Sequence, residues 1–366
     1  MILSAIAIAT WAGLAVHAAR VNRSTPRLIP DPQKPAVRPG AVTALMPARN
    51  EAEIVETSVR ALLQQGPSLA RAIVIDDKST DETPEILGRL AALNGQLVVI
   101  PGRGPGEGEC GKPAALRDAM ERLSPSTEWL LFIDADVVLE LGAVDALLEL
   151  GDSHDLVSVL PKLEMNTTVE RWLMPSIVAL VSGAYPPAKI ADPESPVAFA
   201  NGQIILIRRD TYAAVGGHGS VVKEVLEDVR LAERVKKAGG RLCLADGRLA
   251  ARTRMYAGAR ELIEGWSKNL YLLVGGRPAP AFAWMLLTTL LPSLGWLALL
   301  VDRLPFGVLA FAFVTAVQMV LRRRIGAPLF WTPLAPLAAL ATDLLILRSA
   351  WVRRRGRVAW KGRVYR

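Results

Sequence analysis

Trp129-Leu130-Leu131-Phe132-Ile133-Asp134-Ala135-Asp136 decides how this chain folds. Five apolar residues in a row, with neither helical nor alternating spacing, read as a strand buried on both faces, as in a parallel sheet. Two carboxylates one position apart follow it. In open α/β sheets ligands gather at the carboxyl ends of the strands. A carboxylate placed there can hold a divalent cation, Mg²⁺ or Mn²⁺, which takes oxygen from one or two carboxylates plus substrate phosphates, while its neighbour can reach a ribose. An isolated Asp-x-Asp is more often a plain turn, so the weight falls on its surroundings.

Those surroundings repeat the pattern. Ala44-Leu45-Met46-Pro47-Ala48-Arg49-Asn50-Glu51 follows a short apolar strand and opens a helix predicted over 53–65. Ala72-Ile73-Val74-Ile75-Asp76-Asp77-Lys78-Ser79-Thr80-Asp81 is again a strand ending in acids and hydroxyls, before a helix predicted over 83–93. Gly111-Lys112-Pro113 precedes a third helix. Strand–helix alternation predicts an α/β fold, with polar groups collected along one rim of its sheet. Helix capping accounts for Ser79 to Asp81. It does not account for every strand ending in carboxylates or in Arg-Asn-Glu.

In this order the motifs resemble the family 2 glycosyltransferases of the GT-A fold, over roughly residues 41–275. The resemblance implies a mixed sheet flanked by helices that binds a nucleotide sugar, a UDP-sugar by preference. It implies that Pro47, Arg49, Glu51, Asp76 and Asp77 surround the base and ribose, leaving open which of the two aspartates faces the base. Lys112 matches a basic position near the nucleotide. Asp134 and Asp136 match the family's Asp-x-Asp, the second being the usual metal ligand. Phe199-Ala200-Asn201-Gly202-Gln203 resembles the acceptor-side loop, placing Asn201 and Gly202 there. Glu224-Val225-Leu226-Glu227-Asp228-Val229-Arg230 resembles the Glu-Asp motif of the catalytic base, which takes the acceptor's proton in an inverting transfer. Asp228 is the expected base and Glu227 its rival.

The processive polysaccharide synthases carry a Gln-x-x-Arg-Trp motif that this chain lacks. In its place stand Arg254-Met255-Tyr256 and Gly265-Trp266-Ser267-Lys268-Asn269. The second segment, and the chain end Val358 to Tyr365, resemble a subgroup acting on membrane lipids. That subgroup includes the carotenoid-acid glycosyltransferases of staphyloxanthin-type pathways, and hopanoid-associated transferases are similar in pattern. The resemblance places Trp266 on the acceptor path. Arg254 and Lys268 could meet the departing pyrophosphate, since fixed cations stabilise charge that develops there, or equally pair with lipid phosphate at the interface.

Composition points to a membrane enzyme. Of 366 residues 51% are hydrophobic, and mean hydropathy is positive at +0.28. The formal charge of +8 is unevenly spread: residues 277–366 carry a net +11 and residues 1–276 a net −3. Basic residues among apolar spans fit anchoring and anionic-lipid contact, which excludes a nucleic-acid groove. The sequence divides into an N-terminal anchor (1–20), a linker rich in Pro and Arg (21–40), the catalytic domain (41–276) and a C-terminal membrane region with a basic tail (277–366). Segments 2–19, 281–301, 304–321 and 329–352 have the length or character of spans. Arg20, Arg23 and Arg27 after the first predict a multi-pass protein of the cytoplasmic membrane with its catalytic domain facing the cytoplasm. Counting crossings then places Arg322-Arg323-Arg324 inside but the tail from Arg353 outside, against the positive-inside rule. Either the last segment is re-entrant or interfacial, or an earlier one does not cross.

Two further stretches, 172–185 and 262–274, have amphipathic helical spacing and suit either packing on the α/β core or a place in the headgroup layer. Cys110 and Cys243 are too few for a disulfide framework. His218 reads as a turn residue or as an extra metal or phosphate contact. The glycine-rich run Gly102 to Gly111 matches neither a Walker loop nor a Rossmann motif and reads as a loop beside the nucleotide. The expected activity is metal-dependent transfer of a sugar from a nucleotide donor to a membrane lipid. A polyprenyl-phosphate sugar synthase and a sugar nucleotidyltransferase are the alternatives.

Overall fold

The computed structural model describes residues 1–34, 36–123, 126–356, 358–360 and 363–365. Helix α1 (Ile2–Ser24) leads through an extended segment into β1 (Val42–Ala48), α2 (Val55–Leu63), β2 (Leu69–Asp76), α3 (Thr83–Leu93), β3 (Leu97–Pro101), α4 (Gly111–Leu123) and β4 (Trp129–Ile133). Then come β5 (Val137–Leu139), α5 (Ala143–Gly151), β6 (Leu156–Leu163), α6 (Thr168–Ala184), α7 (Pro187–Ala191), β7 (Ile204–Arg208) and α8 (Arg209–Ala214). The domain closes with α9 (Glu227–Lys237), β8 (Leu242–Thr253) and α10 (Ala259–Leu273). Membrane-length helices α11 (Pro278–Val301), α12 (Leu304–Arg324) and α13 (Ala335–Arg354) follow, and a terminal ladder β9 (Val358–Trp360) and β10 (Arg363–Tyr365) ends the chain.

Eight strands form one mixed sheet in the order β3-β2-β1-β4-β7-β6-β8-β5. The first four are parallel; β7 runs antiparallel to both β4 and β6, and β5 antiparallel to β8. The β4 run is fully buried because it has a core on each side. Leu130 and Phe132 pack with α4, α6 and α9 on one face, while Trp129, Leu131 and Ile133 pack with α2, α3 and α5 on the other. Each such side chain contributes on the order of 1.5–3 kcal/mol on burial. Antiparallel β7 brings its own beginning to the carboxyl end of β4: Ile133 pairs with Ile204, and Asp134 N–H donates to the Gln203 carbonyl at 3.0 Å. The rim that carries Asp134 thereby also carries the 201–203 loop.

Helices α6 and α10 coincide with the two amphipathic stretches. Leu173, Ile177 and Leu180 of α6, with Leu262, Trp266 and Leu270 of α10, are buried in the domain core, and the same core takes in Leu345 and Ile346 of α13. Both helices therefore mediate between the sheet and the membrane bundle. The linker is likewise docked: α1 runs on to Ser24, Arg27 bridges to Asp246, and Leu28 is buried with its N–H on the Asp246 carbonyl.

Among the described residues, four helices are long and apolar enough to cross a membrane: Ile2–Ser24, Pro278–Val301, Leu304–Arg324 and Thr332–Arg354. Ala7 and Trp11 of α1 pack with Leu294 and Ala298 of α11 and with Ala310 and Val314 of α12. The Met1 ammonium and Ser4 meet Asp302 in the α11–α12 turn, and Arg324 donates to the Ala18 carbonyl. The far end of α1 thus lies beside that turn, and its basic end beside Arg322–Arg324.

The last segment follows a folded-back path. Arg322 donates to the Pro328 carbonyl and to the Arg171 carbonyl of the catalytic domain. A few residues later, Pro333 is back inside the bundle, accepting from Trp296 Nε1 and lying near Val314 and Gln318. From there α13 returns antiparallel to α11, through a Thr289–Asp343 hydrogen bond, to the catalytic domain. At that end Arg348 donates to Ser267, and β9 lies alongside α10. Segment 325–334 turns back into the bundle, so both arginine clusters stand at the domain's end of it. The exposed residues Leu337, Leu340, Leu344 and Leu347 give α13 a lipid-type outer face. Of the basic tail, Arg357, Lys361 and Arg366 lie outside the described residues, as does Gly362 of the chain-end motif.

Candidate active site

Four backbone elements converge on one ammonium group. Lys112, in the first turn of α4, stands 2.6 Å from Asp134 Oδ1 and 3.4 Å from Glu227 Oε1, and it donates to the Gly202 carbonyl at 2.9 Å. The Gly202 N–H donates to Asp228 Oδ2 at 2.7 Å, and the Val229 N–H donates to Asp228 Oδ1 at 2.8 Å. Glu227 and Asp228 open α9, where unpaired N–H groups and the helix dipole favour negative charge. Gly202 is required by space. A Cβ there would lie 2.8 Å from Asp228 Oδ2 and 2.9 Å from Lys112 Nζ. The neighbouring amides hold the loop: Asn201 Nδ2 donates to the Val159 carbonyl and to Gln203 Oε1, and Asn201 N–H to Ser158 Oγ.

This arrangement shifts acidities in a defined way. Burial first, and the charge of Glu227 second, push the Asp228 carboxyl up to about 7, against the pull of Lys112 and the two N–H groups. A carboxyl poised there can exchange a proton near neutrality. Burial works against the Lys112 ammonium, yet the charges of Asp134, Glu227 and Asp228 outweigh it and raise its pKa. Lys112 stays charged.

Asp136 sits at the start of the β5–β8 ladder. Val137 pairs with Thr253, which places exposed Arg254 beside Asp136 at the lip. Tyr256 is buried nearby, and burial together with the Asp136 charge raises its phenol pKa. Its ring lies 6.2 Å from that of Trp266. Trp266 is itself buried and gives its N–H to Met174 Sδ at 3.3 Å. Trp266 thus backs Tyr256 from within the core, and its polar edge is already occupied.

The two nucleotide-side loops are laced together. Arg49 donates to the carbonyls of Asp77 and Lys78, Asn50 N–H to Ser79 Oγ, Glu51 N–H to Thr83 Oγ1 and Ala52 N–H to Asp81 Oδ2. Pro47 pairs with Ile75 in the ladder beneath. Asp77 is buried against Gly102, whereas Asp76 is half-exposed and caps the Ser79 N–H. The hydroxyls read from the sequence as helix caps serve here as ties between loops. Lys268 is half-buried on α10, and its charge opposes the rise that burial imposes on the pKa of Cys110, two residues ahead of Lys112.

Among the described residues no three His, Cys, Asp or Glu side chains form a ready-made metal cage. The donor set still suits a hard cation held partly by substrate. Asp134 and Asp136 offer carboxylate oxygens just past the end of β4, and Mg²⁺ or Mn²⁺ needs only one or two such groups beside substrate phosphates. Lys112 already engages Asp134. His218 takes no part. It is fully buried against Phe132, hydrogen-bonds Tyr212 through Nδ1, and burial lowers its pKa to about 3. The cysteine thiols are buried and their pKa is pushed up, Cys110 to about 11 and Cys243 to about 12.

Residues 43–216 match the family described as glycosyl transferase family 2. That stretch resembles a family 2 glycosyltransferase domain. Two Staphylococcus aureus proteins, each named 4,4'-diaponeurosporenoate glycosyltransferase, resemble the chain over 89% of its length and 88% of theirs. The MRSA252 protein is 27% identical and the USA300 protein 26%. A Pyrobaculum calidifontis mannosyltransferase, solved with GDP-Man and Mn²⁺, superimposes with a TM-score of 0.56 at 20% identity, over 93% of this chain and 99% of that one. It shows the same GT-A fold. The chain is a glycosyltransferase with candidate membrane helices at both ends of its catalytic domain. The family match ends at residue 216, before Asp228 and α10.

Proposed function

We propose that this enzyme moves a sugar from a nucleotide-sugar donor, of the UDP class, to an oxygen of an apolar membrane lipid of the isoprenoid or carotenoid kind, with inversion. The observation that carries the reading is the packing of α10, whose Trp266 backs Tyr256 beside Asp136, directly on membrane helix α13. A water-soluble acceptor needs no such junction. A lipid does, because drawing its chain into water costs ~0.8 kcal/mol per CH₂. The names of the two staphylococcal relatives support the same acceptor class.

Arg49, Glu51, Asp76 and Asp77, on the floor shaped by Pro47, enclose the base and ribose. Asp136, with Asp134, would hold the divalent cation, which when bound stabilises charge on the departing diphosphate. Arg254 at the lip adds fixed positive charge on that side. When the acceptor is an alcohol, Asp228 takes its proton as the oxygen bonds to the anomeric carbon, and the sugar–diphosphate bond breaks with its electron pair leaving on the nucleoside diphosphate. Lys112 balances the carboxylates around it. Asn201 and Gly202 fix the acceptor side of the loop, and Trp266 steadies Tyr256 beside Asp136.

Placement in the cytoplasmic membrane, with the domain on the cytoplasmic side, fits the arginines at the domain's end of the bundle and the supply of nucleotide sugars there. The test is partition of product. Detergent-purified enzyme given labelled UDP-sugars and membrane lipid should move label into the organic phase. Label appearing only in water-soluble product contradicts the reading.

A further inference from the structure

Asn269 is a polar residue set into the apolar side of α10. Ser267 Oγ accepts from Arg348 Nε at 3.0 Å and the Tyr271 N–H donates to Ser349 Oγ at 3.1 Å, so that side of α10 faces membrane helix α13. Two residues past Ser267, Asn269 lies about 200° around the helix and faces the domain instead. Leu262, Trp266 and Leu273 beside it are buried, and its own Oδ1 is buried with no hydrogen-bond partner among the described residues. An orphaned acceptor costs folding free energy, which a ligand donating to it offsets. One turn earlier stands Gly265, where a Cβ would overlap the Tyr256 ring. Tyr256 lies two residues past Arg254, which the β5–β8 register sets beside Asp136. One turn later stands Leu273, whose carbonyl accepts from the Tyr185 hydroxyl at 2.9 Å, and the Tyr185 ring stacks on Phe199 at 4.6 Å. Phe199 opens the loop whose Gly202 N–H donates to Asp228. Asn269 therefore stands midway along α10, about 6 Å of helix from the turn at the Asp136 side and about 6 Å from the turn at the Asp228 side.

We infer that Asn269 accepts a hydrogen bond from a hydroxyl of the sugar being transferred and thereby selects which sugar the enzyme uses. The inference rests on the nucleotide-sugar reading above. In that reading the diphosphate departs on the side of Asp136 and the acceptor oxygen arrives on the side of Asp228. The sugar ring spans the interval between them, which Asn269 overlooks. Such a ring carries several hydroxyl donors. The apolar chain of a lipid carries none, and its one reacting hydroxyl gives its proton to Asp228. A neutral amide suits a neutral sugar and leaves the charged groups to the diphosphate. A site built to hydrogen-bond one hydroxyl discriminates strongly against an analogue that lacks it.

The experiment uses the full-length enzyme in detergent with the nucleotide sugar that labels membrane lipid and the monodeoxy analogues of that sugar. In wild type one analogue should lose at least about tenfold in kcat/KM against the parent. In Asn269→Ala the parent should fall by a similar factor and that one penalty should vanish, while the other analogues fall in parallel. The free nucleoside diphosphate, which carries no sugar, should bind both forms alike in calorimetry. Asn269→Leu removes the orphaned amide at similar volume, so it should keep or raise the melting temperature while losing the same activity. Deoxy penalties unchanged by Asn269→Ala, or a melting temperature lowered by Asn269→Leu, overturn the assignment and leave the nucleotide-sugar reading intact. A wild-type enzyme that transfers from no nucleotide sugar overturns that reading, and this one with it.

Discussion

Lys112 Nζ stands 2.6 Å from Asp134 Oδ1 and is joined to Asp228 through Gly202, whose carbonyl accepts from Lys112 and whose N–H donates to Asp228. The basic residue of the nucleotide side, the first carboxylate of the Asp-x-Asp and the proposed base therefore belong to one hydrogen-bonded circuit. A change at any member should be felt at the others.

With an isoprenoid alcohol as acceptor, Asp228→Asn should lower kcat by a factor on the order of 10² to 10⁴ while nucleotide affinity stays within a few fold. Glu227→Gln should cost less. If Glu227→Gln carries the large loss and Asp228→Asn does not, the roles are exchanged. Steady-state kinetics with both variants decides.

The same carboxyl sets a pH profile. Its folded pKa is raised to about 7, so the alcohol reaction should lose its base below that value, kcat falling about tenfold per unit on the acid limb. Because the folded pKa lies above the unfolded one, Asp228's contribution to stability is full below its ordinary range near 4 and is lost as pH rises through about 7. Activity and stability should thus move in opposite directions across pH 5–8, readable from kcat and melting temperature on one set of buffers. A kcat limb centred near 4 contradicts the assignment.

Gly202→Ala places a Cβ within 2.8 Å of Asp228 Oδ2 and 2.9 Å of Lys112 Nζ. It should lower kcat at least tenfold with a melting temperature within a few degrees of wild type. Kinetics close to wild type would show that the circuit tolerates displacement.

Asp136→Ala should abolish turnover and remove the Mn²⁺ dependence of donor affinity, measured by calorimetry with and without EDTA. Asp134→Ala should cost less donor affinity, because Lys112 already engages that carboxylate. Donor binding indifferent to EDTA in the wild type sinks the cation assignment.

The folded-back path of 325–334 predicts that the C-terminus and Asn94 lie on one side of the membrane. Reporters at the two positions should give the same topology signal. Opposite signals require a full crossing by the last segment.

Much of this was legible in the sequence for physical reasons that can be named. The β4 run announced itself because a strand buried on both faces has no polar position, and Asp134 and Asp136 stood out as charges just past it, whereas Lys112, after a glycine-rich run, was marked only by the family resemblance. The two helices now seen as α6 and α10 showed their spacing, but not that their faces divide between sheet and membrane bundle, since periodicity shows a face and not its partner. Strand β8 was hidden. Asp246, Gly247 and Arg248 interrupt its apolar pattern where the register with β6 shifts, a non-local event. β5 has three residues and merges with the run before it. The meeting of Asp228 with Gly202 and Lys112 was suggested only by family resemblance, because residues 112, 202 and 228 come together through sheet topology alone.

The central claim is transfer of sugar to a membrane lipid at the Lys112–Gly202–Asp228 site, and mass spectrometry of lipid extracts tests it most directly. Extracts from cells expressing wild type or Asp136→Ala would be compared for apolar lipids that gain one sugar mass. The account predicts such a species with wild type, its absence with Asp136→Ala, and its formation in vitro from purified enzyme, a nucleotide sugar and the isolated lipid. Identical lipid profiles, together with glycosylation of a soluble sugar or peptide by the purified enzyme, would contradict it.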